Sequence, residues 1–118
     1  MDAEDRGIMA NYTLNVAKHA TLSGTTVDVV TTTTTGSDIE VLNRGTTDLF
    51  VTFGNGLQAT EIANPTTNGD DTVIIPAGYG VVLPDVAYSG STRGRNANMR
   101  LFIKVLGNAN PYTIWKHG

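Results

Sequence analysis

Apolar positions recur at every second residue along this chain, in short runs separated by polar turns. Val27, Val29, Thr31 and Thr33 share one face of a predicted strand, and Asp28, Val30, Thr32 and Thr34 share the other. The five threonines Thr31 to Thr35 extend that strand, because a β-branched side chain is stiff at χ1 and packs well on a pleated surface. The run has no recurring period, so it reads as the half-exposed end of a strand closed by Gly36-Ser37-Asp38, not as a ladder of ligand-binding hydroxyls. Next, Ile39, Val41 and Asn43 alternate against Glu40 and Leu42, and Leu49, Val51 and Phe53 alternate against Phe50 and Thr52. The link between them, "RGTTD", is a turn in which Gly45 supplies a positive φ if one is needed, and the pair predicts a β-hairpin.

Tyr12, Leu14 and Val16 predict one strand near the N-terminus. "TVIIPAGYGVVLP" reads as strand, turn and strand. "RLFIKVLG" carries the strongest strand signal, with Leu101, Ile103 and Val105 on one face and Phe102, Lys104 and Leu106 on the other, and is expected to be central. "YTIW" follows the "NANP" turn as the last strand. Gly54–Asp71 and Asp85–Met99 are long polar stretches expected to be surface loops with a binding role. No window presents a helical face. Eight or so short strands at this spacing predict an all-β, single-domain antiparallel β-sandwich or jelly-roll-like barrel. A jelly roll and an immunoglobulin-like sandwich are equally compatible with the pattern. Residues 1–11 read as an extended N-terminal arm and 12–118 as the β-sandwich domain.

Composition narrows the functions. Only 16% of the 118 residues are charged, against about 25% in a typical soluble domain. The surface is therefore rich in Thr, Ser, Asn and Gly, and suits close contact with few charges to desolvate. The net charge of -3 disfavours nucleic acid as a partner. The absence of cysteine removes disulfides, thiol catalysis and thiolate metal sites. No stretch approaches the roughly 20 apolar residues of a membrane-crossing helix. The opening "MDAEDRGIMANYT" lacks the apolar run of a secretory signal, so "NYT" is discounted as a glycosylation acceptor, and Met9 is an alternative start.

Candidate chemistry is sparse. His19 and His117 have no carboxylate or serine at a motif spacing and read as surface histidines. Asp70-Asp71 lacks the ligand pattern of a calcium loop and reads as a solvated turn. Glu40 and Glu61 could form a carboxylate pair, but nothing in the sequence favours it. No catalytic, cofactor-binding or metal site is expected. Arg93, Arg95 and Arg100 are the one basic concentration and read either as a solvated loop or as a docking loop for an acidic surface. Asp2, Glu4 and Asp5, with Arg6 and Met9 beside them in the arm, form the opposite, acidic pole, a complement to that loop between subunits. Trp115, Tyr112 and Phe102 are expected in the core or in strand pairs, with sugar stacking by Trp115 as the alternative.

The succession "IEVLNRGTTDLFVTFGNG", "TVIIPAGYGVVLP" and "MRLFIKVLGNANPYTIW", over residues 39 to 115, resembles small all-β virion proteins of tailed bacteriophages. The resemblance implies a non-enzymatic structural protein on the outer capsid surface. It would be a decoration protein that binds the major capsid protein through the arm from Asp2 to Met9 and the loop from Arg93 to Arg100, as a homo-oligomer and commonly a trimer, made in the host cytoplasm. The alternative is a tail, baseplate or fibre component acting as a receptor- or carbohydrate-binding module, with a groove lined by Trp115 or Tyr88.

Overall fold

The computed structural model describes residues 10–33, 38–67, 69–83 and 100–117. Among the described residues there are nine strands: β1 (Asn11–Thr13), β2 (Ala17–Thr21), β3 (Val27–Thr33), β4 (Asp38–Asn43), β5 (Leu49–Gly56), β6 (Val73–Ile75), β7 (Gly80–Leu83), β8 (Arg100–Leu106) and β9 (Pro111–His117). A 3-10 turn at Ala59–Glu61 lies between β5 and β6. One sheet has the order β1-β3-β8-β5-β6 and the other β2-β9-β4-β7. Every pairing is antiparallel except β1 with β3. From β2 onward, each connection crosses from one sheet to the other, apart from β5 to β6. That is the strand order of a jelly roll, so the tie with an immunoglobulin-like sandwich is resolved.

Three local expectations change. The segments around "RGTTD" are not a hairpin, because β4 and β5 lie in opposite sheets and the turn carries the chain across. "TVIIPAGYGVVLP" does form strand, turn and strand, β6 and β7, and that turn also carries the chain between the sheets. The predicted strand through Tyr12, Leu14 and Val16 is split. Leu14 N–H still bonds Thr31 O, while Val16 O accepts from Lys116 of the second sheet, so the chain changes sheets between them. Leu14 is buried and Val16 exposed as a result. The sheet already begins at Asn11, within the stretch expected to be arm.

The inward faces follow the alternation. Val30, Ile39, Val41, Leu49, Val51, Leu101, Ile103, Val105 and Ile114 form one cluster between the sheets. Thr32, inside the threonine run, is buried, and its hydroxyl donates to Leu14 O at 3.1 Å. β8 is central in its sheet, as expected, but buried on both faces. The outer face is covered by the segment after the 3-10 turn. Lys104 Nζ donates to Ile62 O at 2.6 Å and Asn64 Oδ1 at 2.9 Å, and Thr52 Oγ1 donates to Ala63 O at 2.6 Å. Burial pulls the Lys104 ammonium below its ordinary pKa. Across the core, Tyr112 Oη on β9 donates to Asp28 Oδ2 on β3 at 2.7 Å, linking the two sheets. Burial raises the Asp28 carboxyl above the usual carboxylate value, and the bonds from Tyr112 and the Ala10 N–H partly oppose that rise.

Four of the crossing connections meet at one end, around Asn43 and Asn110. Asn43 Nδ2 donates to Thr47 O and Ile75 O, each at 2.8 Å. Asn110 Nδ2 donates to Asn43 Oδ1 at 3.0 Å and to Thr47 O at 2.8 Å. Its Oδ1 accepts from Asn108 N–H at 2.7 Å and Thr47 Oγ1 at 2.9 Å. Gly45 has no positive φ. It is glycine because a Cβ there would lie 2.7 Å from Asn110 Nδ2, so close approach replaces the conformational reason expected from the turn.

Two outcomes are expected. Asn110→Ala removes one donor from the buried Asn43 Oδ1 and unties Thr47 and Asn108, and should cost about 2 kcal/mol in urea unfolding. Asp28→Asn keeps an acceptor for Tyr112 but removes the ionisation. Because the folded carboxyl lies above its ordinary value of 3.8, the unfolded chain releases that proton first. The parent should therefore lose stability relative to Asp28→Asn as pH rises from about 4 through the folded value, measured by thermal unfolding over a pH series.

Candidate site on the outer face of the second sheet

The registers of β2, β9, β4 and β7 arrange their outward side chains in rows. His19 pairs with Thr113, Thr113 with Leu42, and Leu42 with Gly80. In the next row Ala17 pairs with Trp115, Trp115 with Glu40, and Glu40 with Val82. These positions face outward because Tyr112 and Ile114 of β9 and Val41 of β4 take the inward places. The result is a groove of about 620 Å³ lined by Ala17, His19, Leu42, Arg44, Thr113 and Trp115.

Residue size shapes it. Ala17 is too short to cover the neighbouring indole, and Trp115 is 43% exposed. At Gly80, a Cβ would meet Leu42 Cδ2 at 2.5 Å and Glu40 Oε2 at 3.2 Å, so glycine lets those two side chains lie over β7. Trp115 is also held by a tilted ring contact with His117, with centroids 4.4 Å apart. His117 Nε2 in turn lies 3.0 Å from Glu40 Oε1.

The polar side is organised around one hydroxyl. Thr113 Oγ1 accepts from Arg44 Nε at 2.9 Å and lies 2.7 Å from His19 Nδ1. Arg44 Nη2 makes a longer bond to Tyr112 O, at 3.4 Å. Thr113 itself is buried, so a side chain rooted in the sheet orients two exposed ones. The groove thus has an aromatic and aliphatic side next to fixed hydrogen-bonding groups, an arrangement suited to noncovalent recognition. A second hollow, of about 410 Å³, lies on the other sheet beside Phe50, Leu106 and Thr47.

Of the eight expected contact residues, Asp2, Glu4, Asp5, Arg6, Met9, Arg93 and Arg95 lie outside the described residues, as does Tyr88. Arg100 opens β8, opposite Thr33 and Gly56, in the sheet that does not carry the groove. Tyr112 and Phe102 are buried in the core, and Trp115 takes the strand-pair place, turned outward between Ala17 and Glu40. His19 is a surface residue, as expected, with Thr113 as its partner. His117 gains a carboxylate partner from a strand 77 residues away in sequence. Glu40 and Glu61 belong to opposite sheets' surroundings and form no pair. Asp70 and Asp71 are exposed, and among the described residues no cluster of three or more His, Asp or Glu is placed to hold a metal ion. Arg44, Thr113, Leu42 and Ala17 were not singled out from sequence. The available signal was Thr113 and Trp115 at i and i+2 on the last strand.

Neither protein-family models nor curated proteins match the chain in sequence. Its fold is similar to PirA. The crystal structure of PirA superposes with a TM-score of 0.54, over 88% of this chain and 95% of that one, at 14% identity. A likeness at that identity concerns the architecture alone.

Thr113→Val should change stability little, by about 1 kcal/mol or less, because water can replace the lost partner of His19 and Arg44. Its signature is local. The ¹⁵N spectrum of the His19 ring should move toward that of a free imidazole, with the core amide shifts unchanged.

Proposed function

We propose that this chain is a non-enzymatic virion surface protein, a jelly-roll module that works by noncovalent contact through the outer face of β2-β9-β4-β7. The groove carries this reading. It places an exposed tryptophan beside hydrogen-bonding groups that are fixed from within the sheet. The stretch that resembles tailed-phage virion proteins, residues 39 to 115, spans β4 to β9, six of the jelly roll's eight strands. The groove favours a receptor-binding module of a tail, baseplate or fibre.

A second reading, the capsid decoration protein, has its own support. Ile74, Tyr79 and Val82 are 50%, 65% and 48% exposed. They lie along the side of the sandwich where β6 and β7 are the edge strands. Exposed apolar side chains beside sheet edges that pair with no other strand among the described residues suit a neighbouring subunit or the major capsid protein. A protein that binds only the mature lattice stabilises it by mass action.

The test is co-sedimentation of the purified chain with undecorated phage heads and, separately, with host cells. Saturable binding to cells that Trp115→Ala abolishes is the expected result. Saturation on heads at a fixed ratio to capsid subunits, lost in Tyr79→Ser with Val82→Ser, would select the decoration reading. Absence of binding to heads and to cells alike would overturn a virion surface role.

A further inference from the structure

A pyranose ring has a face of C–H groups and a rim of hydroxyls. The groove presents the complement of both. Trp115 offers an indole that Ala17 leaves uncovered, and Leu42 continues the apolar surface in the adjacent row. Alongside them, Arg44, Thr113 and His19 form a connected polar row. An arginine side chain has five N–H donors. One on Nε and one on Nη2 are engaged internally, so three are left for a ligand or water. Because Thr113 already orients both Arg44 and His19, little ordering is needed when a ligand arrives. The volume falls in the range of roughly 300–1,000 Å³ usual for small-molecule sites. Glu40 stands directly beside Trp115 in the register. A carboxylate there disfavours an anionic group over the indole and favours neutral hydroxyls.

We infer that the groove binds a neutral saccharide, with a sugar C–H face stacked on Trp115 and ring hydroxyls held by Arg44, His19 and Thr113. The inference rests on the reading that this face is the binding face.

Trp115 is the single tryptophan of the chain, so indole fluorescence reports on this site alone. The full chain would be titrated with methyl glycosides of glucose, galactose, mannose and N-acetylglucosamine, and applied to a glycan array. A saturable change in emission is expected, with a Kd on the order of 1 mM for a single sugar. Arg44→Ala should weaken it at least about 10-fold, as for loss of a charged hydrogen-bond donor. Trp115→Ala should lose the array signal, with thermal midpoints close to the parent's in both variants. Silence of the folded parent on both assays would overturn the inference. So would binding that survives in Trp115→Ala and Arg44→Ala, or an equal response to sodium phosphate, which would reduce the groove to an anion site. Groove-dependent sedimentation without any saccharide response would sink this inference and leave the binding face standing. Saccharide binding by a protein that associates with no part of the virion or host cell would do the reverse.

Discussion

The hydrogen bond between the side chains of Asn43 and Asn110 is the constraint on which the architecture turns. A jelly roll has to send its chain repeatedly between two sheets, and each crossing leaves peptide groups without a ladder partner. Here four of those crossings converge on two buried amides. Asn43 closes the end of β4 and reaches Ile75 at the end of β6, while Asn110 precedes β9 and reaches Thr47 in the β4–β5 link. The β2–β3 link joins through Leu22 N–H to Asn110 O and Ala109 N–H to Gly24 O. Backbone bonds of Asn43 to Gly78 and Tyr79 bring in the β6–β7 link. An amide is suited to this because it donates and accepts at once, in fixed directions, without a charge to desolvate.

The groove is a downstream product of the same arrangement. Asn110 sets where β9 begins, and β9 lies between β2 and β4. Its register fixes that Thr113 falls between His19 and Leu42, and Trp115 between Ala17 and Glu40. Shifting β9 by one residue would turn Tyr112 and Ile114 outward and bury Trp115 and Thr113. The buried Tyr112–Asp28 bond opposes such a slip, because the phenol meets its partner in the other sheet in one register only. The grooved face and the core are therefore two sides of a single choice.

Much of this was legible in the sequence, and the rest was hidden for identifiable reasons. Alternation located β3, β4, β5, β8 and β9, and the run from Leu101 to Leu106, apolar but for Lys104, marked the central strand, since a strand covered on both faces needs apolar residues at nearly every position. Lys104 is buried all the same, because distant backbone at Ile62 accepts a hydrogen bond from its ammonium group. Alternation cannot say which of two faces is inward when both carry aromatics. Tyr112 and Trp115, three residues apart, went to opposite sides for that reason. Turn residues mark where a chain reverses, but not whether it returns to its own sheet or crosses to another, hence the expected hairpin at "RGTTD". Asn43 and Asn110 sit where asparagine ordinarily signals a turn, so their structural weight was masked by their local meaning. The groove needed the pairing of residues 19, 113 and 42, which only the topology supplies.

The parallel pairing of β1 with β3 determines how the module would carry load. β3 and β9 both run away from the asparagine corner, since each is antiparallel to a neighbour that approaches it. β1 runs the same way, so Ala10 lies at the corner end and His117 at the opposite end. A pull on the two ends of the described fold is thus directed along the strands. It loads the β1–β3 ladder and both ladders of β9 in shear, so their hydrogen bonds resist together and cannot be unzipped one at a time. Resistance to such a pull is governed by the unfolding rate and not by equilibrium stability, a property of value to any part held between a moving partner and a fixed one.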